Sequence, residues 1–298
     1  MKDRILKYKY SVPVLYSVFF LFVFLLFLVV TFPTNGIRKR LVSEINANSP
    51  YRVEIKKVDI SPFLNINLDG VTIRKSAGQV IHVDHLQVKP SIMGLLGSSS
   101  DYPFTAKLLG GEVKGTVSLN NSNQSIKEVH AAVGNLRIDD ISGFIANGGN
   151  ETLSLQGELD GVFHVVFDPA PRGNFNFVVK GLNITNIKVK GMNLPSFTDL
   201  NSTIQGDIAG RETIIKEWVV KGDEFDLNIK GTTPLIWEMN RGGVIDLGYN
   251  LQITGRKFAM YKNMLRPYLA QRRDGSLGGK IIGTINNPEF KKDSIKRF

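Results

Sequence analysis

Cysteine is absent from this chain, and histidine is scarce. With no cysteine among 298 residues, the folded protein has neither disulfides nor thiol chemistry. The four histidines include one close pair, His82 and His85, and a separation of three places two rings on opposite faces of a strand. Because the apolar β-branched residues around this pair favour a strand, we predict no metal site.

Sequence motifs that carry catalysis are also missing. Ser142 and Ser276 each adjoin a glycine but lack the G-x-S-x-G frame of an exposed nucleophile. The segment GSLGGKI departs from a phosphate-binding loop, which needs glycine in place of Asp274 and serine or threonine in place of Ile281. The acidic residues are dispersed and form no pair suited to acid and base catalysis. We therefore predict a protein that is not an enzyme, with no catalytic residue, cofactor or metal.

The positive charge is concentrated at the N-terminus. Residues 1–40 hold seven Lys or Arg and one Asp, which is +6 of the net +10 and leaves +4 for the other 258 residues. The remaining charge is dispersed, and no basic patch is interleaved with aromatic residues for base stacking. We predict no nucleic-acid binding.

A long apolar run follows this basic start. Residues 10–37 carry no charge, and the centre, VLYSVFFLFVFLLFLVVTF, is long enough to cross a bilayer. We predict a cytoplasmic tail at 1–11, a transmembrane helix at 12–32 and a juxtamembrane helix at 33–50. A cleaved signal peptide is the alternative, but the run is longer than the usual signal, and no small-x-small cleavage site follows it.

A glycine-containing pattern recurs four times after this segment. The copies are LGGEVKG at 109–115, LQGELDG at 155–161, IQGDIAG at 204–210 and LGGKIIG at 277–283, with starts separated by 46, 49 and 73 residues. This spacing indicates an irregular repeat of a β unit. Since side chains alternate across a strand, the apolar residues and both glycines of each copy share one face.

The alternation predicts a mainly β domain over residues 51–290, in which a curved, groove-like antiparallel sheet is accompanied by a few short helices (89–97, 138–148 and 258–273) and followed by a basic tail at 291–298. Glycines on the apolar face either permit strong coiling and bulges or leave room for an acyl chain, and both interpretations stay open. The candidate apolar groove face consists of Gly111, Val113, Gly115, Leu155, Gly157, Leu159, Gly161, Phe163, Ile204, Gly206, Ile208, Gly210, Gly279, Ile281, Gly283 and Ile285.

The order of these elements resembles a known group of envelope proteins. The predicted transmembrane helix, the short helix and the segment YRVEIKKVDISPFLNINLDGVTIRKSAGQVIHVDHLQVKPSIMGLLG are similar to the opening of AsmA-like proteins. The segment GMNLPSF and the ending LGGKIIGTINNPEF resemble one branch, the type II secretion system protein N family. This resemblance implies a single-pass inner-membrane protein with its N-terminus in the cytoplasm and its bulk in the periplasm.

The resemblance implies two functions of different classes. One is a non-enzymatic accessory component of the type II secretion system, whose partner proteins would contact exposed sheet edges or the tail at 291–298. The alternative is an AsmA-like lipid-binding or lipid-transfer module of envelope biogenesis. It would take phospholipid or another acyl-chain ligand, with Val113, Leu159, Ile208 and Ile281 facing the acyl chains.

Overall fold

The computed structural model describes residues 16–17, 19–20, 23, 34–49, 51–61, 65–74, 80–89, 101–120, 125–139, 154–186, 188–189, 192–193, 195–235, 243–255, 270–284 and 287–292. Most of the predicted transmembrane helix therefore lies outside the described residues, and its described positions, Tyr16, Ser17, Phe19, Phe20 and Val23, are helical. Among the described residues, no helix combines the length and the apolarity that crossing a membrane requires. The predicted tail at 1–11 and most of the three short helices also lie outside them.

Among the described residues, one helix has both ends defined, and there are seventeen strands. The helix, α1, spans Thr34–Asn48. The strands are β1 (Arg52–Ile60), β2 (Ile66–Arg74), β3 (Val80–Val88), β4 (Asp101–Leu108), β5 (Gly111–Leu119), β6 (Ile126–Arg137), β7 (Ser154–Val166), β8 (Arg172–Thr185), β9 (Lys188–Val189), β10 (Met192–Asn193), β11 (Phe197–Ala209), β12 (Glu212–Lys221), β13 (Phe225–Pro234), β14 (Val244–Ile253), β15 (Ala270–Gln271), β16 (Leu277–Thr284) and β17 (Asn287–Lys292).

Fifteen of these strands form one open antiparallel sheet, which confirms the prediction of a mainly β antiparallel domain. The strand order in the sheet is β1 to β8, then β11 to β14, then β16, so β8 pairs with β11 and β14 pairs with β16. Strands β15 and β17 both pair with the free side of β16, at its beginning and along the rest of its length. The pair β9–β10 forms a separate two-stranded sheet. The predicted helix at 258–273 is wrong at its C-terminal end, because Ala270 and Gln271 form β15.

One face of the sheet carries the buried apolar residues, in clusters spaced along the strand order. A cluster near the N-terminal end includes Val58 and Val71, and α1 contributes Ile37 to it. A cluster near the C-terminal end includes Ile229 and Leu247. The opposite face carries most of the charged side chains, as the alternation predicts.

Strand β3 corrects the prediction for the two histidines. The register between β3 and β4 shifts by one residue between Val83 and His85. Val83 and Leu86 therefore both pack in the apolar cluster although an odd number separates them. His82 and His85 then share the polar face, where their rings contact Thr72 and Asp69 of β2, respectively. The error arises because the extra residue reverses the alternation.

Candidate functional site

A continuous row of apolar residues and glycines runs across the sheet. Directly paired residues lie on the same face, and the registers connect one residue from each of fourteen strands. This central row is Ile60, Ile66, Val88, Phe104, Gly115, Ala131, Phe163, Phe175, Gly206, Ile215, Gly231, Leu247, Ile281 and Phe290. None of its members is polar.

A second row runs beside the central row on the same face. It is Val58, Leu68, Leu86, Ala106, Val113, Val133, Gly161, Phe177, Ile204, Trp218, Ile229, Tyr249, Gly279 and Lys292. Lys292, its one charged member, lies in the last strand. The two rows together form a broad apolar strip perpendicular to the strands.

Three phenylalanine side chains in the middle of this strip are half-buried. Phe163, Phe175 and Phe177 form neighbouring ring contacts with centroid distances of 5.8 to 6.5 Å. All three rings retain intermediate exposure, whereas Ala131 in the same strip is fully buried. Within the described residues, α1 packs against β1. It does not cover the strands that carry these rings.

The structure brings most of the candidate groove residues together. Gly115, Phe163, Gly206 and Ile281 lie in the central row, and Val113, Gly161, Ile204 and Gly279 lie in the second row. Ile208 and Gly283 lie on the other side of the central row, paired with Gly173 and Pro288. On the far side of the second row, Leu159 pairs with Val179, Leu155 with Ile184, and Gly111 with Leu108.

Three candidate residues are placed differently. Gly210 follows the end of β11 and lies in the turn to β12, where its φ of 64° suits glycine. Gly157 lies at a register shift between β7 and β8. Ile285 lies outside the described residues. Gly210 is thus not part of the strand face. The prediction included it because a seven-residue pattern does not distinguish a strand glycine from a turn glycine.

The glycines of the apolar strip lie beneath aromatic rings or against neighbouring backbone. A Cβ atom at Gly206 would lie 2.5 Å from Cζ of Phe175 and would also collide with the carbonyl oxygen of Ile214. A Cβ atom at Gly279 would lie 2.5 Å from the Tyr249 hydroxyl. At both positions the space above glycine is filled, which favours close strand and ring packing over a vacant cleft.

The buried hydroxyl of Ser202 lies on the apolar face and has a hydrogen-bond partner there. Ser202 is 4% exposed, and its Oγ accepts a hydrogen bond of 3.0 Å from Nε1 of Trp218. The period-two pattern misses Trp218, because a register shift in β12 separates it from Ile215 by three positions while both stay on the apolar face. A regular strand would have placed the indole on the polar side.

Similar register shifts occur in β6 and β8. The extra residues lie near Asn135 in β6 and near Gly181 in β8, and both residues have positive φ. In β12, the consecutive residues Lys216 and Glu217 are both exposed. Each shift lets the apolar residues on its two sides stay on one face, so the bulges preserve the strip.

The polar face is crossed by ion pairs between neighbouring strands. Nζ of Lys180 lies 2.8 Å from Oδ2 of Asp160, and Oδ1 of Asp160 accepts a hydrogen bond of 2.8 Å from the backbone N–H of Asn135. The lysine and then this N–H hold the pKa of Asp160 below its ordinary value of 3.8. Lys280 and Asp246 form another cross-strand pair at 3.4 Å.

The polar face also holds a histidine pair. His130 and His164 are cross-strand partners with ring centroids 6.0 Å apart, and Nε2 of His164 lies 2.6 Å from Oε1 of Glu128. In the part of the chain that the structure describes, no group of three or more His, Cys, Asp or Glu side chains could hold a metal ion.

The geometry therefore defines a candidate binding surface, the apolar strip, whose chemistry suits an apolar ligand. Comparison of the chain with protein-family models, with curated proteins and with solved structures finds no match.

Proposed function

We propose that this chain is a membrane-anchored, non-enzymatic protein that binds acyl chains of membrane lipids along the apolar strip. The observation that carries the proposal is the central row, in which fourteen strands each contribute an apolar residue or a glycine. A soluble sheet normally covers such a face with another layer. A row that stays partly exposed along the rings of Phe163 and Phe175 favours an apolar ligand.

The bulges support the expected groove shape. In β12, the two consecutive exposed residues Lys216 and Glu217 lengthen the polar face relative to the apolar face. An extra residue on one side of a strand bends it and increases its twist. Because the extra residues of β3, β6 and β12 lie on the polar side, we infer that the sheet bends toward the apolar strip and makes that face concave.

The dimensions of the strip are compatible with acyl chains. Strands run across the proposed groove, so its long axis follows the direction of strand pairing. At about 4.8 Å between neighbouring strands, the thirteen spacings of the central row span about 62 Å. One leaflet of a bilayer core is about 15 Å thick, so the strip is long enough for several acyl chains placed end to end.

The aromatic rings provide the surface that an acyl chain would cover. Phe175 lies over Gly206, so its ring lies on the sheet instead of projecting across the strip. An acyl chain that removes these half-buried rings from water gains about 0.8 kcal/mol for each methylene that it buries. The glycines would thus act indirectly, because they let neighbouring rings lie flat on the sheet and so deepen the groove.

Photo-crosslinking in living cells tests the proposal on the full chain. Phe163 and Ile281 are replaced, one at a time, by a photoreactive phenylalanine analogue, and the adducts are identified by mass spectrometry. The matched controls are Val162 and Lys280, the chain neighbours of these positions, which are exposed on the polar face. We expect phospholipid adducts at Phe163 and Ile281 and none at the controls. Equal lipid yields on both faces, or no lipid adduct at any site, would refute the proposal.

The role of an accessory component of the type II secretion system stays a prediction from the order of the sequence elements. It shares the proposed inner-membrane anchor and periplasmic location. Adducts with secretion-system proteins at the same four positions, without lipid, would favour it over lipid binding.

A further inference from the structure

The two ends of the sheet differ in how their edge strands are covered. At the N-terminal end, the side-chain amide of Asn46 in α1 accepts a hydrogen bond of 2.7 Å from the N–H of Val53 and donates one of 3.3 Å to its carbonyl oxygen. Nη1 of Arg38 donates to the carbonyl oxygen of Lys56 at 3.0 Å. The helix thereby occupies main-chain groups of β1 that another strand would need.

The C-terminal edge strand, β17, is exposed along its whole length. All six of its residues are exposed. Phe290, the last residue of the central row, is 59% exposed although its ring lies 6.4 Å from that of Tyr249. An exposed edge strand that carries a large apolar side chain is a template for pairing with another strand.

The sequence of β17 is complementary to itself. Glu289 and Lys291 flank Phe290 and carry opposite charges. If two copies of β17 pair in antiparallel orientation about Phe290, each Glu289 lies opposite the partner's Lys291, and the two Phe290 side chains lie opposite each other. Proline and lysine are residue types that natural edge strands use against pairing. In this register Pro288 of each copy lies opposite Lys292 of the other, so no lysine lies opposite a lysine.

Other registers either put unlike faces side by side or set like charges opposite each other. Pairing centred between two residues would place the apolar face of one copy beside the polar face of the other, because side chains alternate. Pairing centred on Glu289 or on Lys291 would set two like charges directly opposite each other. Among pairings centred within residues 289–291, the register about Phe290 alone keeps the apolar strips on one side and matches the charges.

We propose that β17 is an interface between two copies of this chain, paired in antiparallel orientation about Phe290. Since α1 occupies main-chain groups at the β1 edge, each copy offers one open end within the described part of its sheet, and pairing closes as a twofold dimer instead of growing into a fibre. The central rows of the two copies become continuous across the interface. This interface is independent of whether the strip binds lipid.

Charge reversal tests the register on the full chain in detergent micelles, with sedimentation velocity as the measurement. We expect Glu289→Lys alone and Lys291→Glu alone to lose the dimer, because each sets like charges opposite each other. An equimolar mixture of these two variants is expected to restore a species of twice the protein mass. The pair between Glu289 and Lys291 within one chain, at 3.9 Å, is absent from both variants whether or not they are mixed, so its loss does not explain recovery.

The control for these variants is Glu158→Lys, an equal charge reversal on an exposed residue of β7, which should leave the dimer unchanged. A wild-type chain that sediments as a monomer at all concentrations would overturn the proposal. Dimers that persist in both single variants would overturn it as well.

Cysteine crosslinking provides a second test, because the chain has no cysteine of its own. Opposed residues of an antiparallel pair have Cα atoms about 4.5–5.5 Å apart, within the range that a disulfide bridges. Under mild oxidation, Phe290→Cys should form a crosslinked dimer, whereas Val244→Cys, at a position that is 70% exposed in β14, should not. Equal crosslinking of the two variants, or crosslinking of Phe290→Cys to a different protein in cells, would exclude a second copy as the occupant.

Discussion

Replacement of Gly206 by alanine tests whether close packing explains the glycines of the apolar strip. The added methyl group would lie 2.5 Å from Cζ of Phe175 and would also meet the carbonyl oxygen of Ile214. A side chain inserted into such a packed position costs about 1–3 kcal/mol. In a domain of this size each kcal/mol lowers the melting temperature by about 2–4 °C, so we expect a fall of roughly 2–12 °C.

The matched control is Gly248→Ala. Gly248 lies inside β14, and the nearest atom to an added Cβ is the carbonyl oxygen of Lys230 at 3.8 Å, an ordinary contact. With that space available, alanine removes the extra freedom of glycine in the unfolded chain and adds up to about 1 kcal/mol of stability. The melting temperature of this variant should therefore stay the same or rise.

Thermal unfolding followed by circular dichroism of the full chain in detergent compares the two variants directly. Phe175→Leu removes the ring atoms that the new methyl group meets, so Gly206→Ala should cost less in the Phe175→Leu background than in the wild type. If Gly206→Ala melts at the same temperature as Gly248→Ala, the argument from close packing is refuted. If the effects of Gly206→Ala and Phe175→Leu are strictly additive, the destabilisation by Gly206→Ala comes from the Ile214 carbonyl and not from the ring.

Three further changes test other parts of the fold. Asn46→Ala removes two hydrogen bonds to β1, so we expect a loss of about 1–3 kcal/mol and faster amide exchange in β1; unchanged exchange there would contradict the role of α1 as an edge cover. Asp160→Asn should lower the melting temperature at neutral pH. The difference from wild type should begin to shrink below pH 3.8 and vanish once pH has fallen through the lower pKa that Asp160 has in the folded protein, where its charge attraction to Lys180 is lost. A difference that persisted in strong acid would show that charge is not the cause. Ser202→Ala removes the acceptor of the Trp218 N–H and should cost about 1–3 kcal/mol by thermal melting, whereas Ser202→Thr, which keeps a hydroxyl, should cost less.

The alternation of apolar and polar residues predicted the sheet because each side of a half-buried strand has a different environment. Strand β7 illustrates this point: Phe163 and Val165 lie on the apolar face, and Val162, although apolar, is exposed on the other side. The pairing of neighbours could also be anticipated, since short connections favour antiparallel hairpins. The pattern did not predict that the glycines would fall in different rows, with Gly115 and Gly206 in the central row and Gly161 in the second.

Bulges account for the other departures from the sequence prediction. A period of two carries no signal for an inserted residue, so it assigned His82 and His85 to opposite faces and gave no reason to associate Trp218 with Ile215. Backbone twist decides where such a residue is needed, and twist depends on the strands on both sides. The register of β12 shifts at the same point against both β11 and β13, as expected when one inserted residue adjusts a strand to two neighbours at once.

The bulges and the glycines are therefore two parts of one arrangement. If the sheet bends toward the apolar strip as proposed, an extra polar residue such as Lys216 accommodates the bend, and backbone and rings of neighbouring strands come closer together on the apolar side. Glycine is then required where the approach is closest, as at Gly206 beneath Phe175. The two interpretations of the glycines are then linked: close packing at glycine would permit the proposed curvature, and this curvature, instead of the missing side chains themselves, would form the groove. It follows that Gly206→Ala should reduce lipid crosslinking at Phe163 together with stability, whereas Gly248→Ala should reduce neither.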